Sequence, residues 1–166
     1  MDQCAVRRHS RGSLPRNAVE DFASCTSPDF VAAVKELAAR GVGLAVATHS
    51  DLAEHSVHKP RANFILGEEL ALEVLRLAVP EEAPLFCVVA FNPRARGATC
   101  PDDQGKKRHL RTIAAFYNVQ LSECVLFDDD PANCADVEIC SGVLRGKFYA
   151  CKSDPDQGFR LEDLDL

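Results

Sequence analysis

Residues 125–133, Val-Leu-Phe-Asp-Asp-Asp-Pro-Ala-Asn, constrain the fold of this chain more than any other segment. An apolar run that ends in a cluster of carboxylates and continues into a proline-started helix is typical of a parallel sheet, because open α/β sheets bind ligands beyond the carboxyl ends of their strands. Clustered carboxylate oxygens at that place suit a hard cation such as Mg²⁺. A helix N-cap with a turn is the simpler interpretation, since Asp130-Pro131 also begins helices well.

Helix and strand patterns alternate along the rest of the chain, and this alternation predicts an α/β protein. Apolar residues at helical spacing predict helices over 28–41, 67–79 and 105–118, the first of them capped by Ser27. Continuous apolar runs predict strands over 42–47, 85–91 and 124–127. Weaker patterns predict a short helix from Asp51, strands over 137–140 and 143–149, and a turn with a terminal helix over 156–164.

The composition fits one globular domain over residues 1–166, because 46% of the residues are hydrophobic and 27% are charged. The net charge of −6 disfavours nucleic-acid binding, which requires a basic surface. No apolar run approaches the length of a membrane span, and the charged first nine residues lack the apolar segment of a signal peptide. We therefore expect a cytoplasmic protein without a nucleic-acid or membrane partner.

The eight cysteines are interpreted as structural thiols. None of them forms a Cys-x-x-Cys pair, so the sequence gives little support to a zinc site. Cys87 lies within an apolar strand pattern and Cys124 lies at the start of another, where a thiol behaves as a small hydrophobic group.

Three polar positions fall where phosphate chemistry needs them. Thr48 follows one predicted strand, Lys106 begins a predicted helix, and Asp128 with Asp129 follows another strand. A hydroxyl can hydrogen-bond a phosphoryl oxygen, an ammonium group can neutralise its charge, and carboxylates can hold Mg²⁺ against it. Each residue also has an ordinary explanation as a turn or surface residue, so their joint order carries the functional interpretation.

These residues resemble the motifs of the haloacid dehalogenase superfamily of phosphatases, and most closely its small magnesium-dependent branch, over residues 2–164. The family's second motif, a strand ending in Ser or Thr, is similar to residues 45–48. Its third motif, a lysine that this branch carries as Lys-x-x-His, is similar to residues 106–109. Its fourth, Asp-Asp-acid-x-x-Asn, is similar to residues 128–133.

The resemblance implies a Rossmann-like, doubly wound parallel sheet without a large cap domain. It also implies a Mg²⁺-dependent phosphomonoester hydrolase that works through an aspartyl-phosphate and acts on a phosphorylated small molecule or a phosphoprotein. The roles it implies are phosphate binding for Thr48 and Lys106, Mg²⁺ binding for Asp128 and Asp129, and orientation of the site for His49 and Asn133.

The first motif departs from the family pattern, which is an apolar strand ending in Asp-x-Asp-x-Thr/Val with a nucleophile first and a general acid/base second. In the register that fits, Asp2 is the second carboxylate, its backbone carbonyl is a further metal ligand, and Cys4 takes the Thr/Val place. The nucleophile then falls one position before Met1. Either the gene product starts earlier, or the chain is an inactive relative that serves as a binding module. An earlier start is favoured, because losing a central strand would leave two open sheet edges.

Two other classes of function fit less well. A phosphate-accepting receiver domain would need an isolated acceptor Asp after a middle strand, and the strands ending at Thr48 and Phe91 offer none. A transition-metal site built from His49, His55 and His58 has only the ordinary spacing of a short polar helix. In the loop over 92–103, Arg94 and Arg96 could contact a negative charge of a substrate, and solvated surface is the simpler interpretation.

Overall fold

The computed structural model describes residues 4–54, 62–97, 99–100, 103–130, 132–133 and 159–161. Its strands and helices confirm a mixed α/β protein. They are, in chain order, β1 (Ser13–Pro15), α1 (Val19–Ala23), α2 (Pro28–Ala39), β2 (Leu44–Thr48), β3 (Phe64–Leu66), α3 (Gly67–Ala78), β4 (Phe86–Ala90) and α4 (Lys107–Tyr117). None of the helices within these described ranges is both long enough and apolar enough to cross a membrane.

β2 and β4 form a parallel pair, so the carboxyl ends of the two strands lie side by side. β2 and β4 run side by side, with Leu44 opposite Phe86 and Thr48 opposite Ala90. Their carboxyl ends therefore lie at the same edge, as expected for strands joined by a crossover that includes a helix. A separate antiparallel pair joins β1 to β3, with Ser13 opposite Leu66. The sequence pattern predicts neither β1 nor β3, because a strand of three residues is too short to show a period.

The three longer predicted helices and two of the predicted strands are confirmed, with bounds that shift by at most two residues. α4 begins at Lys107 rather than at Gly105, whose φ of 57° places it in a left-handed turn before the helix. The predicted helix from Asp51 is reduced to a 3₁₀ turn over Leu52–Glu54. The predicted elements over 137–140 and 143–149 lie outside the described residues, as does most of 156–164.

The predicted strand over 124–127 is not formed as a strand in the described structure. A 3₁₀ turn covers Leu121–Glu123, and Cys124 has extended backbone angles of −93° and 143°. Val125 is half exposed and Leu126 is buried, which is the alternation of a strand. Among the described strands, however, none pairs with residues 124–126, and strand structure requires such a hydrogen-bonded neighbour.

A small apolar cluster lies beneath the acidic segment and joins distant parts of the chain. Cys4, Ala33 and Phe159 are buried together, with Phe30 and Phe127 packed against them. The ring of Phe159 meets that of Phe127 edge to face at 5.3 Å, and its backbone N–H donates to the carbonyl of Cys4 at 2.7 Å. Phe127 immediately precedes Asp128, so this cluster supports the strand-like segment that carries the carboxylates.

The same region corrects the predicted role of Ser27. The backbone of Ser27 is extended and Pro28 begins α2, as predicted, but the serine side chain makes no capping hydrogen bond. Its hydroxyl instead donates to the carbonyl of Phe159 at 2.6 Å. That carbonyl belongs to a residue that is 4% exposed, where a polar group needs a hydrogen-bond partner, so the serine links α2 to residues 159–161.

Candidate functional site

The carboxyl end of β2 and the start of α4 meet at one place. Thr48 is the last residue of β2, and its carbonyl accepts a hydrogen bond from the backbone N–H of Phe91 at 3.0 Å. The same carbonyl lies 2.9 Å from Nε2 of His109, in the first turn of α4. Because a carbonyl only accepts, this geometry fixes Nε2 of His109 as the protonated ring nitrogen.

Lys106 points from the start of α4 back under the end of β2. Its side chain is almost fully buried, and Nζ donates to the carbonyl of Ala47 at 2.8 Å. Nζ also lies 3.7 Å from Oδ2 of Asp128. Burial lowers the pKa of Lys106, although the charges of Asp128 and Asp129 oppose that change. The ammonium group is therefore poorly solvated and only partly neutralised, which is a favourable environment for an added anion.

Asp128 is the best-supported carboxylate of the acidic segment. The residue is 7% exposed, and Oδ1 accepts from Nδ2 of Asn133 at 2.8 Å and from the backbone N–H of Asp130 at 3.0 Å. These two donors fix the orientation of the carboxylate, so Oδ2 is held towards Lys106. Asn133 thus acts on the site by orienting Asp128.

Asp129 is exposed, in contrast to Asp128 beside it. Partial desolvation and the neighbouring charge of Asp128 raise the pKa of Asp129. A bound cation would relieve the unfavourable effect of the Asp128 charge on Asp129. Asp129 is also the carboxylate with fewer protein partners, which makes it the more available metal ligand.

The carboxylate oxygens at this place are ligands of the kind that Mg²⁺ prefers. Among the described residues, no three His, Cys, Asp or Glu side chains converge as a complete metal cage. Mg²⁺ does not need one, because it binds through one or two carboxylates and keeps several waters. Asp128 and Asp129 supply such oxygen ligands, whereas Nε2 of each nearby histidine contacts a backbone carbonyl.

The hydroxyl of Thr48 is oriented for donation. Its Oγ1 accepts a hydrogen bond from the backbone N–H of Ser50 at 3.1 Å. This contact uses a lone pair and leaves the hydroxyl hydrogen to reach another acceptor. Thr48 and Lys106 lie on adjoining elements, linked through the carbonyl of Ala47 in β2. One hydroxyl donor and one ammonium group are therefore available at the same strand end.

Two histidine rings pack behind these donors. Nε2 of His49 lies 3.1 Å from the carbonyl of Gly105, and the rings of His49 and His109 are 5.4 Å apart. Burial and the charge of Lys106 lower the pKa of both histidines, in the case of His109 to about 3. His109 is fully buried, and its Nδ1 has no hydrogen-bond partner among the described residues. His49 holds the turn before α4 and so helps to place Lys106.

A buried ion pair joins the two loops at this edge and was not foreseen from the sequence. Asp51 is 1% exposed and accepts hydrogen bonds from the backbone N–H groups of Ala53 and Asn92, both at 3.0 Å. Arg96 donates to both carboxylate oxygens, through Nε and through Nη2 at 2.7 Å. Burial alone would raise the pKa of Asp51, but the hydrogen bonds from Arg96, Ala53 and Asn92 outweigh it and lower the pKa to about 2.

No local pattern reveals this pairing, because Asp51 and Arg96 are 45 positions apart. The only sequence signal is a carboxylate just after a strand, which also suits a helix start. Arg96, interpreted from the sequence as solvated, is held on one side by Asp51. Arg96 is paired because the loop after β2, which carries Asp51, lies against the loop after β4.

The structure thus brings together Thr48, Lys106, Asp128 and Asn133, with His49 and Asp129 beside them. Asp2 lies outside the described residues, as do His55 and His58. Buried Cys87 is a free thiol. The chain matches no protein-family model, no curated protein and no solved structure in the comparisons made.

Proposed function

We propose that this chain is a phosphatase-like domain of the haloacid dehalogenase type, and that a form of it which supplies the nucleophilic carboxylate hydrolyses phosphomonoesters with Mg²⁺ through an aspartyl-phosphate. The observation that supports this proposal is the meeting of Thr48, Lys106 and Asp128 at one strand end. A hydroxyl donor, a buried ammonium group and an oriented carboxylate are the groups needed to bind phosphate and its metal.

Phosphate binding falls to Thr48 and Lys106. The Thr48 hydroxyl donates to one phosphoryl oxygen, while the hydrogens of Nζ that do not point to Ala47 donate to another. Both donors are fixed before the ligand arrives, since Ser50 holds the hydroxyl and Ala47 holds the ammonium group. Fixed donors of this kind stabilise charge that develops on phosphoryl oxygens during transfer.

The carboxylates have separate roles in the proposed chemistry. Asp128 and Asp129 would hold Mg²⁺, with Asn133 keeping Asp128 in orientation. When bound, Mg²⁺ would neutralise phosphate charge against these carboxylates. In the register implied by the family resemblance, a carboxylate one position before Met1 attacks phosphorus and Asp2 protonates the leaving oxygen. Asp2 then removes a proton from the water that hydrolyses the acyl phosphate, and the nucleophile is restored.

Hydrolysis of p-nitrophenyl phosphate tests this proposal. The 166-residue chain with Mg²⁺ should hydrolyse it no faster than buffer, because the register leaves the attacking position without a carboxylate. A variant with an apolar strand ending in Asp placed directly before Met1 should be more stable and should gain Mg²⁺-dependent turnover.

Asn in place of the added Asp is the control, and it should keep the gain in stability without turnover. Efficient hydrolysis by the 166-residue chain would show that the register is wrong. Mg²⁺ binding without turnover in the extended chain would favour the alternative function, an inactive binding module.

A further inference from the structure

A basic segment borders the proposed phosphate site. Residues 92–111 contain six Lys or Arg and two Asp, a net charge of +4 in a chain whose net charge is −6. Its described residues, 92–97, 99–100 and 103–111, follow β4 and continue into the first turns of α4, where Lys106 approaches the end of β2. This net charge of +4 is larger than the single positive charge that Lys106 supplies for binding one phosphate group.

Two arginines of this segment converge on one ring. The guanidinium carbon of Arg108 lies 4.3 Å from the ring centroid of Phe91, and that of Arg96 lies 5.8 Å from the same centroid. The two guanidinium groups are therefore within about 10 Å of each other. Both side chains are about half exposed, so each presents N–H donors to solvent.

The arginine pair is close to the phosphate donors and is held in position. The Phe91 ring is 6.1 Å from the ring of His109, whose Nε2 contacts the carbonyl of Thr48. Arg96 is fixed by the buried Asp51, whereas the ion pair that Arg108 forms with Asp103 in the described part of the chain is long, at 3.4 Å. A weak exposed contact of that length exchanges readily for a ligand anion.

We propose that Arg96 and Arg108 recognise a second negative charge on the substrate, so that the substrate class is a phosphomonoester whose leaving group carries a carboxylate or another phosphate. This inference rests on the proposed function. A planar guanidinium group is suited to either anion because it donates two parallel hydrogen bonds. Asp51 acts as the positioning residue that keeps Arg96 at the edge of the site.

Binding of two matched ligands tests the inference. Phenyl phosphate and 4-carboxyphenyl phosphate differ only in the second charge, and their dissociation constants can be measured by titration calorimetry. We expect the unaltered chain to bind the carboxylated ligand about tenfold more tightly, a difference of about 1.4 kcal/mol. Arg108→Gln should reduce this ratio to near one. Arg108 is chosen because removing Arg96 would leave Asp51 buried and unpaired.

Arg40→Gln is the control, since this exposed arginine follows α2 and lies at the opposite end of β2. The variant should keep the tenfold ratio.

A phosphotyrosine peptide flanked by glutamate, compared with one flanked by glutamine, distinguishes an acidic peptide from a small molecule as the source of the second charge. Equal binding of both members of each pair would overturn the inference and leave the proposed function standing. Failure of all four ligands to bind would overturn both.

Discussion

Nζ of Lys106 lies 3.7 Å from Oδ2 of Asp128, although both side chains are removed from solvent. The ammonium group donates its shortest hydrogen bond to the carbonyl of Ala47 rather than to this carboxylate. Lys106 and Asp128 are therefore close enough for their charges to interact, but no short hydrogen bond joins them. Such an arrangement leaves room for a ligand that binds both partners.

The first prediction compares Lys106 with Lys107. The side chain of Lys106 is buried and donates to the carbonyl of Ala47 at the end of β2, whereas Lys107, the first residue of α4, is only partly buried. We expect Lys106→Ala to weaken binding of tungstate, a phosphate mimic, by about tenfold or more, because a charged donor is lost. Lys107→Ala should change the dissociation constant little. Titration calorimetry gives both values, and the reverse ranking would move the third motif by one residue.

The second prediction concerns Mg²⁺ and Asp129. A cation should relieve the repulsion between Asp128 and Asp129, so Mg²⁺ at ten times its dissociation constant should stabilise the fold by about 1.4 kcal/mol. For a chain of this length, the melting temperature should rise by about 3–6 °C. Asp129→Asn should remove most of this rise. Differential scanning calorimetry measures it.

Asp130→Asn provides the matched control for that measurement. The Asp130 side chain accepts from the backbone N–H of Ala132 at 2.9 Å, a contact that an asparagine oxygen can also make. This variant should therefore keep the Mg²⁺-dependent rise. A rise of equal size in Asp129→Asn and in the unaltered chain would contradict the metal assignment.

The third prediction is a loss of stability in mild acid caused by His109. The unfolded chain protonates this imidazole below about pH 6.5, whereas the folded chain does so only at about pH 3. Because the folded pKa is the lower one, the stabilisation is present above pH 6.5 and is lost as the pH falls towards 3. The free energy of unfolding should decrease by up to about 1.4 kcal/mol per pH unit in this window.

Urea unfolding between pH 7 and pH 5 measures this effect before most carboxylates titrate. His109→Gln is the informative variant, because the glutamine amide can still donate to the carbonyl of Thr48 and does not titrate. The variant should have a shallower pH dependence, with the remainder due in part to His49. An unchanged slope in His109→Gln would exclude His109 as its source.

The fourth prediction compares the buried carboxylate of Asp51 with the exposed carboxylate of Glu36, each of which accepts hydrogen bonds from an arginine. Asp51→Asn should lower the free energy of unfolding by about 2 kcal/mol, because a buried acceptor of four hydrogen bonds loses its charge. Glu36→Gln removes a carboxylate that accepts from Arg40 on the exposed surface of α2, so the loss should stay within about 0.5 kcal/mol. Denaturant titrations of the two variants should therefore differ in midpoint. Similar losses would mean that Asp51 is no more important than a surface carboxylate.

Sequence patterns predicted the elements that have a clear period and missed those held by distant contacts. The helices over Pro28–Ala39 and Gly67–Ala78 show apolar residues at helical spacing, so their existence follows from local sequence. Residues 124–127 are apolar and were predicted as a strand. A strand needs a hydrogen-bonded partner strand, and the local sequence does not show which segment that partner is.

The candidate site likewise contains residues that local sequence predicts and a pairing that it does not. Thr48, Lys106 and Asp128 were predicted together because each follows or begins a recognisable element, and the structure brings them to one edge. The pairing of Asp51 with Arg96 could not be predicted, since it depends on how two loops approach each other. The phosphatase activity and the Mg²⁺ site remain predictions.

The contact of Phe159 with Cys4 and Phe127 sets the order in which the site can assemble. The backbone N–H of residue 159 donates to the carbonyl of residue 4, so this contact closes nearly the whole length of the chain. Contacts of such long range form late, because the cost in chain entropy must be met before they stabilise the fold. During synthesis, Phe127 can gain its aromatic partner only after residue 159 has been added. The acidic end of the site is therefore completed only after residue 159 has been added, when β2 and α4 are already available to receive it.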